Sequence, residues 1–191
     1  MPFHEINYEL LIQRDPTTIE KLVRTYTSHL YRAGLGMGLT AEESDDITQA
    51  VWLTFFDVVA DFKGQSTVRT FLFGILYNKI SAYRRKNKKT EPSDQIDQIV
   101  DSYFEKNGEW VMAKAPISPE QFLMSTQIME LLQKCLDLLP THQKMAFIMK
   151  EIEEAVTDEI CTALEITATH MGVLLFRARN QLRICIESKS R

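Results

Sequence analysis

Turn-forming residues are scarce: seven glycines and six prolines make 13 of 191 residues, roughly 7% against the roughly 12% of average chains. That excludes a fold of many short strands joined by tight turns and favours long helices. Only three cysteines occur, Cys135, Cys161 and Cys185, far apart, odd in number and without a C-x-x-C pair. This argues against a disulfide framework and fits a reducing compartment, with each thiol as a small core residue. The four histidines are scattered, and no Cys or His pair has the short spacing of a structural zinc site, so neither a metal nor another cofactor is expected. The first residues, MPFHEINYELLIQRD, lack a basic start followed by an apolar stretch. No window approaches the ~18 uninterrupted apolar residues of a membrane span. A soluble cytoplasmic protein without membrane insertion is expected. Excess positive charge is missing too: 22 Lys and Arg against 26 Asp and Glu leave −4, which excludes a wholly basic nucleic-acid coat.

What is present is a chain with 45% hydrophobic and 25% charged residues, enough to bury a core. Its length suits one large or two small domains. Thr17 or Thr18 is placed to cap a first helix, with Ile19, Leu22, Val23, Tyr26 and Leu30 on one stripe and Gly34, Gly36 and Gly38 ending it. Thr40 and Glu43 form a capping box for a second helix that turns Ile47, Val51, Phe55, Val58, Val59 and Phe62 inward. Thr67 caps a third, with Val68, Phe71, Leu72, Ile75, Leu76 and Ile80 inward. These are expected to be antiparallel helices of one small bundle. From 90 to 117 the helical period dissolves over a stretch too long for a structureless loop in a compact domain, so a linker is expected there. Ser118, Pro119 and Gln121 restart a helix that ends before Pro140, and further helices follow over about 142 to 152, Thr157 to Leu164 and Thr167 to about Glu187.

The segment TDEICTALEITATHMGVLLFRARNQL has the layout of a helix-turn-helix. A short helix capped by Thr157 buries Ile160, Cys161 and Leu164, Ile166 holds the turn, and Thr167 caps a second helix that buries Met171, Leu174, Leu175, Ala178 and Leu182. Such a helix enters a major groove with its N-terminal side chains on base edges. Thr169, His170, Gly172, Val173, Phe176 and Arg177 are the groove candidates, and Arg177, Arg179 and Arg183 the phosphate candidates. An ordinary helical hairpin is the structural alternative. In the first half, Lys79, Arg84, Arg85, Lys86, Lys88 and Lys89 sum to +6 with no acid between 79 and 89. Phe73, Tyr77 and Tyr83 lie on the same helix, and aromatics among cations stack single-stranded bases, each stacked base giving about 1–3 kcal/mol. Either these rings stack bases or they complete the bundle core. Acids gather at Glu151, Glu153, Glu154, Asp158, Glu159 and Glu165, ahead of the reading helix, so the isolated chain should bind DNA weakly.

Three stretches in order carry a family resemblance. D-D-I-T-Q-A-V-W-L at Asp45 to Leu53 resembles the D-L-V-Q-E-x-F-L of extracytoplasmic-function sigma factors, the smallest members of the bacterial sigma-70 family. F-K-G-Q-S-T-V-R-T-F-L at Phe62 to Leu72 resembles their F-R-G-x-x-x-F-R-T-W-L. L-P-T-H-Q near Leu139 and F-R-A-R at Phe176 to Arg179 complete the set. The resemblance implies an all-α protein of two small helical domains. Residues 1–89 would be a region 2 bundle of three to four helices, 90–117 a linker in place of region 3, and 118–191 a region 4 helix-turn-helix domain.

The function it implies is that of a dissociable, non-enzymatic subunit of RNA polymerase, monomeric when free, that recognises the −10 and −35 promoter elements and initiates transcription of a stress or envelope-response regulon. Asp45, Asp46, Gln49 and Trp52 would dock on core polymerase. Lys63, Gln65, Ser66 and Thr67 would receive a flipped −10 base, and Tyr77, Asn78, Arg84 and Arg85 would handle the melted or upstream duplex. The −35 contacts would come from Thr167, Thr169, His170, Gly172, Val173, Phe176, Arg177 and Arg179. Here Gly172, Val173 and Leu174 stand where many members carry a basic and polar trio, which shifts readout towards Thr169, His170, Arg177 and duplex shape. An anti-sigma factor, with the chain held at the membrane through it, is a further implied partner. The alternative reading is a stand-alone helix-turn-helix transcriptional regulator, which would have no use for the Asp45 to Trp52 segment. An enzyme is not expected, because no nucleophile with a base and no phosphate loop emerge.

Overall fold

The computed structural model describes residues 8–61, 66–87 and 126–189, and every described element is helical. In chain order they are α1 (Tyr8–Ile12), α2 (Pro16–Gly36), α3 (Ala41–Val58) with a 3₁₀ turn at Val59–Asp61, α4 (Val68–Lys86), α5 (Thr126–Leu136), α6 (Thr141–Phe147) running into a π turn at Ile148–Ile152, α7 (Thr157–Leu164) and α8 (Ala168–Lys189). The expected linker at 90–117 and the expected cap at Ser118 lie outside the described residues, as do Phe62, Lys63, Gln65, Lys88 and Lys89.

Helix starts follow local side-chain chemistry. Thr40 and Glu43 cap each other's backbone as the capping box requires, and the Thr67 hydroxyl accepts the amide of Thr70 at 3.1 Å. At α2 the cap is Asp15 rather than Thr17 or Thr18: Pro16 takes the first helical position and the Asp15 carboxylate accepts the Thr18 amide at 2.8 Å. That hydrogen bond and a second from the Thr18 hydroxyl hold the Asp15 pKa below the usual carboxylate range. A group depressed in the fold adds stability above its unfolded pKa and loses it as pH falls. Asp15→Ala should therefore melt below the parent at pH 7, with the difference in thermal midpoint closing as pH falls through the folded value.

Gly34 lies inside α2, which ends at Gly36. The turn comes at Gly38, whose φ of 85° lies in the left-handed region that glycine enters without penalty. The inward stripes largely stand: Leu22, Tyr26, Leu30, Val51, Phe55, Leu72, Leu76 and Ile80 are buried. Val58 is exposed, and Phe71 is only half-buried. The sequence gives no periodic signal for α1, which seats Leu11 against this bundle.

The same core continues from α2, α3 and α4 through Met145, Ile148, Ile160, Leu164, Met171 and Leu175 of the second half. Helix α4 crosses α7 at Gly74, where a Cβ would come within 3.3 Å of the Ala163 carbonyl oxygen, so the missing side chain permits the approach. A smaller core of Cys135, Leu136, Leu139, Ala178, Leu182 and Cys185 ties α5 to α8. Here the expectation of three unpaired thiols fails. Cys135 and Cys185 form a disulfide with Cα atoms 5.7 Å apart, and Cys161 alone remains a free thiol. Sequence spacing concealed the pair because α5 packs on α8, with α6 and α7 between them in the chain, and brings together residues 50 positions apart. Closing a loop of that length restricts the unfolded chain by about 4 kcal/mol on the chain-entropy estimate.

Candidate nucleic-acid and polymerase interfaces

The helix-turn-helix is formed by α7 and α8, which meet at 95° across a short turn. Glu165 turns the chain in the left-handed conformation with φ 55°, and Ile166 N–H closes on the Cys161 carbonyl at 3.0 Å. Val156 is the residue before α7, so Thr157 is its first member and not its cap, while Thr167 does cap α8 by accepting the His170 amide at 3.2 Å. Of the side chains predicted to face inward, Met171, Leu174, Leu175, Ala178 and Leu182 are buried, and Cys161 is only half-buried. Thr167, Thr169, His170, Gly172 and Val173 line the exposed start of α8, and Phe176 and Arg177 are half-buried. A Cβ on Gly172 would meet nothing within 4 Å. Arg179 is exposed and pairs with Glu151 at 2.6 Å.

On α3, Asp45, Asp46 and Gln49 are exposed at positions that share a helix face, and Gln49 donates to Asp45 at 3.0 Å. Leu53, one turn further on, is 69% exposed and extends that face with an apolar side chain. Trp52 departs from its assignment. It is only 9% exposed, stacks on Phe56, and its indole N–H donates to Thr27 at 3.1 Å, which makes it a core residue with a satisfied polar handle.

Of the six described residues matched to −10 recognition, three are occupied by the second half of the chain. The Thr67 hydroxyl donates to Glu159 at 3.0 Å, the Tyr77 hydroxyl meets His142 Nε2, and Arg84 donates to the Thr141 hydroxyl and the Met37 carbonyl. Ser66 is half-buried, whereas Asn78 and Arg85 are exposed. The expected stacking rings have other uses. Phe73 is fully buried with the Arg69 guanidinium against its face, and Tyr83 donates to Glu43. Three of the six acids are likewise engaged, Glu151 on Arg179, Glu153 on Arg69 and Glu159 on Thr67.

Arg69, His29 and Lys144, to which the sequence assigned no role, form the centre of this contact together with Glu153. Arg69 and Glu153 are each 7% exposed, and Arg69 donates to the Glu153 carbonyl and, at 3.5 Å, to its carboxylate. The same carboxylate meets His29 Nδ1 at 2.8 Å. Lys144, 1% exposed, reaches Asp137 at 2.9 Å and the Met37 carbonyl at 3.4 Å. A signal for both cations exists: Arg69 shares a stripe with Leu72 and Leu76, and Lys144 one with Ile148, so each is a charge on an inward face.

Burial draws the Lys144 pKa below the usual lysine value, with the Asp137 hydrogen bond opposing that shift. Below its unfolded pKa the unfolded chain then binds more protons here, so this group's contribution to stability rises with pH. Tyr83 acts the other way, because donation to Glu43 raises its phenol and stability is lost only above the unfolded phenol pKa of 10.0. Lys144→Met should melt no lower than the parent at neutral pH and should lose the parent's rise in midpoint as pH climbs towards the usual lysine value of 10.5. A steep drop in midpoint at pH 7 would contradict this account.

Among the described residues no group of three or more His, Cys, Asp or Glu side chains is placed to hold a metal ion, and no single helix is long and apolar enough to cross a membrane. Two family descriptions match the chain: Sigma-70 region 2 over residues 22–90 and Sigma-70, region 4 over residues 129–182. A probable RNA polymerase sigma factor of Haemophilus influenzae is 32% identical over 154 residues, covering 78% of this chain and 79% of the relative. The ECF RNA polymerase sigma-E factor of Escherichia coli K12 is 23% identical over 137 residues, 72% of this chain and 70% of that one. Among solved structures, the sigma factor RpoE in complex with the anti-sigma factor NepR from Bartonella quintana superposes with a TM-score of 0.64 at 17% identity, over 88% of this chain and 96% of that one. CnrH in complex with the cytosolic domain of CnrY gives 0.65 at 16%, over 95% of each chain.

Proposed function

The chain belongs to the sigma-70 family, carrying its regions 2 and 4 in that order, and from that premise we propose how its surfaces divide the work of promoter recognition. It is an alternative sigma factor and not an enzyme. A stand-alone helix-turn-helix regulator is set aside, because such a protein has no counterpart to the region 2 half at 22–90. Residues 1–89 act as the polymerase-docking and −10 module, 90–117 as the tether, and 118–191 as the −35 module. Asp45, Asp46 and Gln49, with Leu53 beside them, dock on core polymerase. Trp52 supports that helix from behind. The start of α8 reads the −35 duplex through Thr169, His170 and Arg177, and Thr167 fixes the helix end that presents them.

The arrangement described is the closed form of the free monomer. One observation carries this reading: Thr67, Tyr77 and Arg84, all matched to −10 handling, are bonded to Glu159, His142 and Thr141 of the other module. A promoter strand and the second module would compete for the same hydrogen-bonding groups. Binding to polymerase must therefore favour an open arrangement by more than these contacts favour the closed one. An anti-sigma factor would act by the opposite bias, favouring the closed form. Retention at the membrane would then be a property of that partner, with this chain on the cytoplasmic side.

Run-off transcription with purified core polymerase, on a genomic fragment from upstream of the chain's own operon, tests the assignment. The expected result is a discrete transcript that requires both core enzyme and this chain. Core polymerase that starts equally well without it would contradict the proposal.

A further inference from the structure

The disulfide lies where a covalent bond can govern the contact between the modules. Helix α5 rests chiefly on α8, through a core of six buried residues of which Cys135 and Cys185 are two. It and the residue that follows it supply two groups to the contact with the first half. Gln133 donates to the Leu35 carbonyl at 3.3 Å, and Asp137 is the carboxylate that holds Lys144. If α5 leaves α8, Lys144 keeps a buried charge without its counter-ion, beside the last turn of α2 that it and Arg84 clasp at the Met37 carbonyl.

We propose that Cys135 and Cys185 are a reversible redox modification site, oxidised by hydrogen peroxide and reduced by a dithiol, and that the bond between them stabilises the closed form. Cys185 is the more exposed residue of the pair, at 8% against 1% for Cys135, and stands in the last turns of α8, where helix ends open at low cost. In the forward direction the Cys185 thiolate attacks one peroxide oxygen, giving a sulfenic acid and releasing hydroxide. The Cys135 thiolate then displaces a second hydroxide as the S–S bond forms. The two hydroxides take up the two thiol protons as water, so the pair loses two electrons and the peroxide gains them. In reverse, a dithiol attacks Cys185 and expels the Cys135 thiolate. Its second thiol closes on the first, frees Cys185 and leaves oxidised dithiol, with two protons returned to the protein. Cys161, with no sulfur partner, takes no part.

The test uses the full chain, treated with hydrogen peroxide or with dithiothreitol. Alkylation and mass measurement should find one reactive thiol after peroxide and three after dithiothreitol. Amide exchange should then accelerate on reduction at α5 and, in parallel, at residues 34–39 of the first module, by roughly tenfold as a local opening would give. Cys135→Ser should exchange like the reduced parent with or without peroxide, and the parent comparison stands by itself if that variant folds poorly. Three reactive thiols after peroxide would overturn the proposal. So would faster exchange confined to α5, since the bond would then be a local staple without influence on the modules. The effect on transcription rests on reading the closed form as inactive. Equal run-off from both redox states, with the exchange difference present, would count against that reading and leave the redox site standing.

Discussion

Arg69→Met should open the molecule. The substitution leaves the Glu153 carboxylate and carbonyl buried with His29 as the remaining side-chain partner on the first module. Removing one member of a buried ion pair costs about 3–5 kcal/mol, because the charge left behind keeps its desolvation penalty. Here that penalty falls on the joint between the modules and not on either bundle. Helical content should therefore persist while the closed form is lost. The freed Thr67, Tyr77 and Arg84 should also bind a single-stranded −10 oligonucleotide more tightly than the parent does. Replacing Glu153 by Met as well removes the orphaned charge, so the double variant should recover most of the closure. A single variant that stays closed, or a double variant more open than the single, would contradict this assignment of energies.

Asp46→Ala with Gln49→Ala should weaken function by a different route. Both side chains are exposed on α3 and neither joins the contact between modules, so the closed form and its thermal midpoint should change little. The expected loss is in holoenzyme formation. Central interface residues typically cost more than 1 kcal/mol each on truncation, so the pair should weaken core-polymerase affinity by about tenfold or more. Equilibrium binding to labelled core enzyme measures it, and unchanged affinity would remove the docking assignment.

These expectations draw on features that were legible in the sequence to very different degrees. The helices of both halves follow from apolar spacing and cap chemistry, and Asp45, Asp46 and Gln49 and the start of α8 lie on the exposed faces that periodicity gives them. What could not be read was how one half sits on the other. Periodicity reports which residues leave water, and it does not say whether their neighbours come from the same module. Trp52 illustrates this: a large ring beside the docking trio is equally compatible with a surface anchor and with a core position, and its hydrogen bond to Thr27 decides for the core. Tyr77 and Arg84 have the composition of a nucleic-acid surface, yet in the closed form the same donors and acceptors serve His142 and Thr141. Cys135 and Cys185 escaped because an odd total and wide separation argued against a disulfide, whereas the packing of α5 on α8 brings distant positions together. Arg69 and Lys144 were the available clue, since a charge on an inward stripe implies a buried partner that the local sequence does not supply.

The central claim is that one chain holds two modules closed when alone and spreads them on polymerase. Energy transfer between dyes at the exposed positions Arg24 on α2 and Thr162 on α7 reads that change directly. The account predicts a single high-transfer population for the free chain that shifts to low transfer when core polymerase is added, and more weakly for Asp46→Ala with Gln49→Ala. Transfer that stays high in a holoenzyme competent for run-off transcription would contradict it.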